Sequence, residues 1–273
     1  MGVEAVTTTG RTSKTKSTVP PPRRYLVREL DRNPSETSPL RCAVIGAGRL
    51  GHALATALRA TGLEVEGPLG RGADPRADVV LLTVPDQEIE AAAAVLTPLN
   101  AQFVGHCSGA TTLQPLVGRE AFSLHPLMTV PEGGAAPFTG AGCAIAGSTD
   151  GALAVARALA EALHMRPVEV ADRDRAAYHA AASIAANFLV TLEGAAERLA
   201  ATAGVPRELL VPLAQAALDN WAATGAEQAL TGPVARGDEA TIARQRAAIE
   251  ERAPDLLDVF DALVAASRVV VAA

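Results

Sequence analysis

Apolar residues fall in short unbroken runs as far as about residue 170 and at helical spacing thereafter, and that change divides the chain. Cys42 to Ile45 is an apolar run, Gly46 to Gly51 a glycine turn, and Gly51 to Ala60 an Ala/Leu segment stopped at Gly62. This pattern predicts strand, turn and helix. Leu63 to Leu69 and Val79 to Val84 read as further strands, too apolar for a sheet with one wet face. A helix over Asp86–Leu96, strands over Gln102–Gly105, Ala121–Leu124 and Cys143–Ala146, a helix over Asp150–Leu163 and a strand over Pro167–Val170 continue the alternation. Such a series is expected of a parallel sheet covered on both faces. From Asp172 onward only helical periodicity remains, broken at Gly204, Gly225 and Thr231–Asp238. The expected architecture is a doubly wound, mostly parallel α/β sheet over residues 41–171 and a smaller all-α domain over 172–273. Residues 1–40, rich in Thr, Ser, Pro and Arg without apolar periodicity, are expected to be a disordered tail.

Composition narrows the classes. With 273 residues, 49% of them hydrophobic, the chain can build two modest cores, and with only 3% aromatic residues those cores consist of Ala, Val and Leu. Residues 1–40 hold seven basic groups against four acidic ones, so the rest of a chain of net charge −6 is more acidic still. An acidic body argues against nucleic acid as a partner, because affinity there comes from neutralising phosphates. A small metabolite fits better. Cys42, Cys107 and Cys143 form no close pair, which suits a reducing compartment and excludes a CxxC metal site; no metal is expected. The start MGVEAVTTTG has no apolar core of an export signal, so the cytoplasm is the expected location. The run Ala176–Leu192 approaches membrane length but includes His179, Ser183 and Asn187, and is read as a buried helix with no membrane role.

Gly46-Ala47-Gly48-Arg49-Leu50-Gly51 matches GxGxxG, and it stands directly after a strand and opens a helix. That context makes it the fingerprint of a Rossmann-type dinucleotide-binding domain. Gly46 allows the tight turn, Gly48 lets backbone approach a pyrophosphate, Gly51 permits close helix packing, and Ala47, Arg49 and Leu50 complete the loop. Glu66 lies near the distance of a ribose-holding acid but inside its strand, whereas the strand's end is Gly70-Arg71-Gly72. An arginine there meets a 2′-phosphate, so NADP is expected rather than NAD, with Val84 and Pro85 lining the site after the next strand. Ala73 to Asp78 is too short for a crossover helix, which leaves the adenine end open.

The strand ends also carry candidate chemistry. His106-Cys107-Ser108-Gly109 and Ser123-Leu124-His125-Pro126 should both face the cofactor at the carboxyl edge. His125 is the first candidate proton donor and His179 the second, since imidazole near its usual pKa of ~6.5 reaches both protonation states. His179, Ser183 and Asn187 recur every four residues and share a helix face. Ser108 and Asn187 are candidates to hold a carbonyl or carboxamide. Tyr178 reads as a packing residue or a substrate contact, and Thr231 and Arg236 as substrate contacts, Arg236 for a carboxylate.

These landmarks, with Val84-Pro85-Asp86, Tyr178-His179 and Leu230–Asp238, resemble the 6-phosphogluconate dehydrogenase-like superfamily over roughly residues 41–250. They resemble most its branch with a Rossmann-like domain followed by a helical domain of formerly unknown function. The resemblance implies NADP-linked reduction of a small carbonyl compound, with ketopantoate reductase as the leading activity, and a homodimer formed through the helical domain. His125-Pro126 is similar to the His-Pro segment of prephenate dehydrogenases, and Thr231-Gly232-Pro233 to the loop of pyrroline-5-carboxylate reductases, which implies a cyclic imine as another substrate. One departure is informative: the better-known ketopantoate reductases place a lysine four residues before the helix asparagine, where this chain has Ser183. Its only lysines are Lys14 and Lys16, so a catalytic lysine is excluded. A nucleotide-binding sensor without turnover is the alternative from another class.

Overall fold

The computed structural model describes residues 40–133 and 137–272; apart from Leu40, the expected tail lies outside the described residues. The chain divides into two compact units between His179 and Ala180, a few residues beyond the boundary expected at 171. The shift has a local cause, because the helix that opens at Arg175 sends Arg175 and Tyr178 back onto a strand of the first unit.

In the first unit seven strands follow the order β2-β1-β3-β4-β5-β6-β7. They are β1 (Arg41–Ile45), β2 (Glu64–Leu69), β3 (Ala77–Leu82), β4 (Ala101–His106), β5 (Glu120–Leu127), β6 (Gly142–Gly147) and β7 (Arg166–Glu169). Side chains alternate along β1 and bury both faces. Cys42 and Val44 join Leu54 and Leu58 of α1 (Arg49–Ala60) in one core, while Ala43 and Ile45 join Ile89 and Ala93 of α2 (Ile89–Val95) in the other. The first core also takes Ala156 and Leu159 from α3 (Asp150–Ala162), whose N-terminus is capped by Thr149 accepting from the Ala152 N–H at 3.1 Å.

Two features depart from a plain parallel sheet. β6 runs antiparallel to β5, pairing Leu124 with Ile145 and His125 with Ala144, and β7 is then parallel to β6. The antiparallel ladder carries β5 past the end of β4, so the strand expected to stop at Leu124 continues to Leu127 and contains His125. In addition, residues 70–76 join β2 to β3 without a helix, as their shortness predicts. Asp74 fastens that link by accepting from the Thr97 N–H at 2.8 Å and the Thr97 hydroxyl at 2.6 Å.

The second unit is helical. After α4 (Arg175–Ser183) comes a π turn (Ile184–Phe188), then α5 (Leu189–Ala201), α6 (Val211–Thr224), α7 (Ala226–Ala229), α8 (Glu239–Arg252) and α9 (Leu257–Ala272). Among its described residues only Ile242, Ile249 and Ala253 are buried hydrophobics. The run Ala176–Leu192 is therefore helical but not buried: Ile184, Phe188 and Val190 stand exposed, because no element of this unit covers them. No helix of the described residues is long and apolar enough to cross a membrane.

Candidate functional site

The turn after β1 has the geometry its glycines imply. Gly46 adopts φ +117°, and a Cβ there would stand 2.6 Å from Thr83 Oγ1; at Gly51 a Cβ would stand 1.9 Å from the Gly46 carbonyl oxygen. Thr83, which motif reading missed, pins the turn by donating its hydroxyl between the carbonyls of Ile45 (3.0 Å) and Gly46 (2.9 Å). Gly48 differs from its neighbours, since a Cβ there would meet nothing within 4 Å. It is the N-cap of α1 yet no side chain caps that helix, and no acid occupies the first turn. The first amides of α1 thus lack a side-chain acceptor beside an exposed Ala47-Gly48-Arg49 segment, an arrangement that fits a pyrophosphate. Val84 is half-buried and Pro85 exposed at the end of β3. Arg71 stands after β2 as expected, but its guanidinium is paired with Glu88 at 2.5 Å.

A second constellation forms at the carboxyl end of β4, where β5 runs on past it. Ser123 and His125 lie two apart on β5 and share a face, while Arg175 and Tyr178 lie three apart on α4 and share a side of that helix. The two pairs meet: Arg175 Nη2 donates to the Ser123 hydroxyl, and His125 Nδ1 lies 2.7 Å from Tyr178 Oη. His179 packs edge-on against His125 with ring centroids 6.2 Å apart. Gly109 makes this packing feasible, because a Cβ there would stand 2.7 Å from His125 Cε1 and 2.8 Å from His179 Cδ2.

The electrostatics of the cluster differ from the sequence expectation. Burial, aided by the charges of His179 and Arg175, pushes His125 down to about 4. It is a neutral imidazole at pH 7, so the imidazolium donor expected from an ordinary histidine is not what stands here. Burial pushes Tyr178 up to about 12, which keeps the phenol protonated. His106 is also driven to about 4 by burial; its Nε2 bonds the Thr112 carbonyl at 3.0 Å and its Nδ1 accepts from the Ser108 N–H at 3.2 Å.

Arg175, 1% exposed, was not singled out in the sequence, where it stands in the charged segment Asp172-Arg173-Asp174-Arg175. Its Nε donates to Asp172 at 3.1 Å and its Nη1 to the Ser108 carbonyl at 3.3 Å, so it ties the loop after β4 to β5. Ser108 is committed to the same framework. Its hydroxyl donates to Asp86 at 2.7 Å and accepts from the N–H groups of Ala110 and Thr111, which leaves little for a carbonyl substrate.

The remaining candidates belong to the helical unit. Ser183 ends α4 and Asn187 sits exposed in the π turn, where i→i+5 pairing alters the four-residue phase assumed for their stripe. Thr231 and Arg236 are exposed in the loop that ends at Asp238, the N-cap of α8.

Residues 141–267 match a family described as a domain of unknown function, DUF2520. No curated protein matches the sequence. Among solved structures, a Bacteroides fragilis protein provisionally named an NADP oxidoreductase superposes with a TM-score of 0.74 at 19% identity, covering 84% of this chain and 98% of its own. A Thermotoga maritima protein gives 0.69 at 24% identity, over 84% of this chain and 97% of that one. A reductive aminase from Aspergillus terreus, solved with NADPH4, cyclohexanone and allyl amine, gives 0.57 at 17% identity, over 85% and 95%. These likenesses bear out the fold that the resemblance implies, a Rossmann sheet followed by a helical domain.

Proposed function

We propose that this chain is an NADPH-dependent oxidoreductase that reduces a small carbonyl compound or imine, with Tyr178 as proton donor and His125 as the residue that orients it. The carrying observation is the 2.7 Å contact between His125 and Tyr178, at the same carboxyl edge of the sheet that presents the uncapped glycine turn. Gly46 to Gly51 would hold the pyrophosphate and Arg71 the 2′-phosphate. When bound, the nicotinamide supplies hydride. With both partners neutral, His125 in its Nδ1–H form donates to Tyr178 Oη, which turns the phenol proton outward to substrate and stabilises the phenolate once that proton has left. The names of the Bacteroides and Aspergillus proteins support the cofactor class and the reaction type.

A 2-oxo acid, with ketopantoate first, remains the expected carbonyl substrate; Arg236, exposed and without an ion pair among the described residues, suits its carboxylate. A cyclic imine is the second candidate, favoured by the fold shared with the reductive aminase. The protein acts as a homodimer, a second copy covering the exposed apolar faces of the helical unit.

Purified protein assayed with NADPH against ketopantoate, other 2-oxo acids and cyclic imines tests this directly. Tyr178→Phe should lower kcat by about 10² to 10⁴-fold while NADPH affinity, measured separately by titration, stays put. Full turnover in that variant would move the proton donor elsewhere. Tight NADPH binding with no oxidation over the whole panel would favour a sensor.

A further inference from the structure

The carboxyl edge holds an ion pair with a position of particular interest. Arg71 follows β2, Glu88 closes the short turn Asp86–Glu88 after β3, and Arg71 Nη1 meets Glu88 Oε1 at 2.5 Å. Strands β2 and β3 flank β1, so the pair reaches across the edge where the Gly46–Gly51 turn leaves the sheet. In doubly wound folds the adenosine ribose of a dinucleotide lies at this edge, and the side chains there decide between a 2′-hydroxyl and a 2′-phosphate.

In this chain β2 ends without an acid. Glu66 lies inside the strand, opposite Ala43, and the strand runs out through Leu69 and Gly70 to Arg71. The carboxylate arrives instead from the far side of β1, as Glu88. Its Oε2 is buried with no hydrogen-bond partner, so among the described residues Arg71 is what compensates its charge. Arg71 itself is 67% exposed and Glu88 28%, so the guanidinium is open to a phosphate from solvent while the part-buried carboxylate makes the pair costly to break.

We propose that Glu88 is a specificity-determining residue, an internal competitor with the 2′-phosphate for Arg71; this rests on the nucleotide-binding reading above. A 2′-phosphate must take Arg71 from Glu88 and then sit near a carboxylate that has lost its partner. A 2′-hydroxyl nucleotide leaves the pair closed. The pair therefore lowers affinity for NADPH and spares NADH.

Calorimetric titration of the intact chain with each nucleotide tests the competition without needing a substrate. Glu88→Gln should raise NADPH affinity about fivefold and change NADH affinity less than twofold, and Glu88→Ala should act in the same direction. Arg71→Ala should abolish the preference for NADPH, and in that background Glu88→Gln should have little effect on NADPH. An NADPH-to-NADH ratio unchanged in folded Gln and Ala variants would overturn the proposal. So would an equal gain from Glu88→Gln with and without Arg71, which would indicate plain charge repulsion. Failure of the unmodified chain to bind either nucleotide would overturn the proposed function, and this inference with it.

Discussion

The two units spend their apolar residues differently. In the sheet unit Val44, Leu81, Phe122 and Leu124 are wholly buried between strands and helices, while in the helical unit Val190, Leu213 and Trp221 are 71%, 69% and 57% exposed. Both are rich in Ala, Val and Leu, so composition does not separate them. A sheet closes its core with helices supplied by the same stretch of chain, whereas the helical unit holds its helices together partly through surface ion pairs such as Arg198–Asp255, Arg246–Asp261 and Arg268–Glu239. Exposed pairs of that kind contribute little, and large apolar side chains such as Val190, Leu213 and Trp221 stay in contact with solvent. This contrast is why a second copy of the chain is proposed as the missing layer.

The contrast can be broken most sharply at the helical unit. Leu213→Asp should raise the dimer dissociation constant at least about a hundredfold, since an unpaired charge would have to be desolvated in an apolar contact. Sedimentation analysis checks it, and an unmodified chain that stays monomeric at micromolar concentration would remove the need for a partner. Acid provides the next test, aimed at the sheet unit. An unfolded histidine takes up its proton near ~6.5, but native His106 and His125 resist protonation until about 4. Their contribution is fully present above pH ~6.5 and is lost as pH falls towards 4, by at most about 1.4 kcal/mol per pH unit for each. Urea unfolding at pH 7 and pH 5 should show the loss, and His125→Asn should reduce it. Equal stability at both pH values would discard the neutral-histidine account. The smallest effect on stability is expected at the glycine turn. Gly48→Ala should leave unfolding free energy within about 0.5 kcal/mol while weakening nucleotide binding roughly tenfold, because its Cβ would enter the open space where the proposed pyrophosphate would lie. Unchanged nucleotide affinity would dissociate Gly48 from the phosphates.

What was legible in the sequence follows from range. Gly46, Gly48 and Gly51 disclose themselves because a strand, a turn and a helix within ten residues fix what each glycine must do. The inner strands were likewise visible as apolar runs, whereas β2, read as too apolar for a wet face, is an edge strand with no fully buried residue. The direction of β6 was not visible, since an apolar run reads the same in either sense and only the partner strand decides. Arg175 was hidden by its charged neighbours, and its burial depends on Ser108 and Ser123, more than fifty residues away. Glu88 was hidden for a similar reason, since its partner Arg71 follows a different strand. His125 was identified by position, but its neutral state comes from burial and the neighbouring Arg175, which no local pattern records.

The helix-free link between β2 and β3 makes the molecule's tolerance of length change one-sided. A strand of six residues is about 20 Å tall, and the seven residues from 70 to 76 can reach at most roughly 25 Å while spending part of that length on the turn closed by the Ala73 N–H and the Gly70 carbonyl, so the strap has little slack beyond that turn. Deleting from it would drag β2 off the sheet edge or tear Asp74 from Thr97. Adding to it is cheap, because loop-closure entropy grows only with the logarithm of length. A longer segment grafted here, even one with a helix of its own, would hang beside the adenosine end of the proposed site, so variation in this region has room to lengthen and little to shorten.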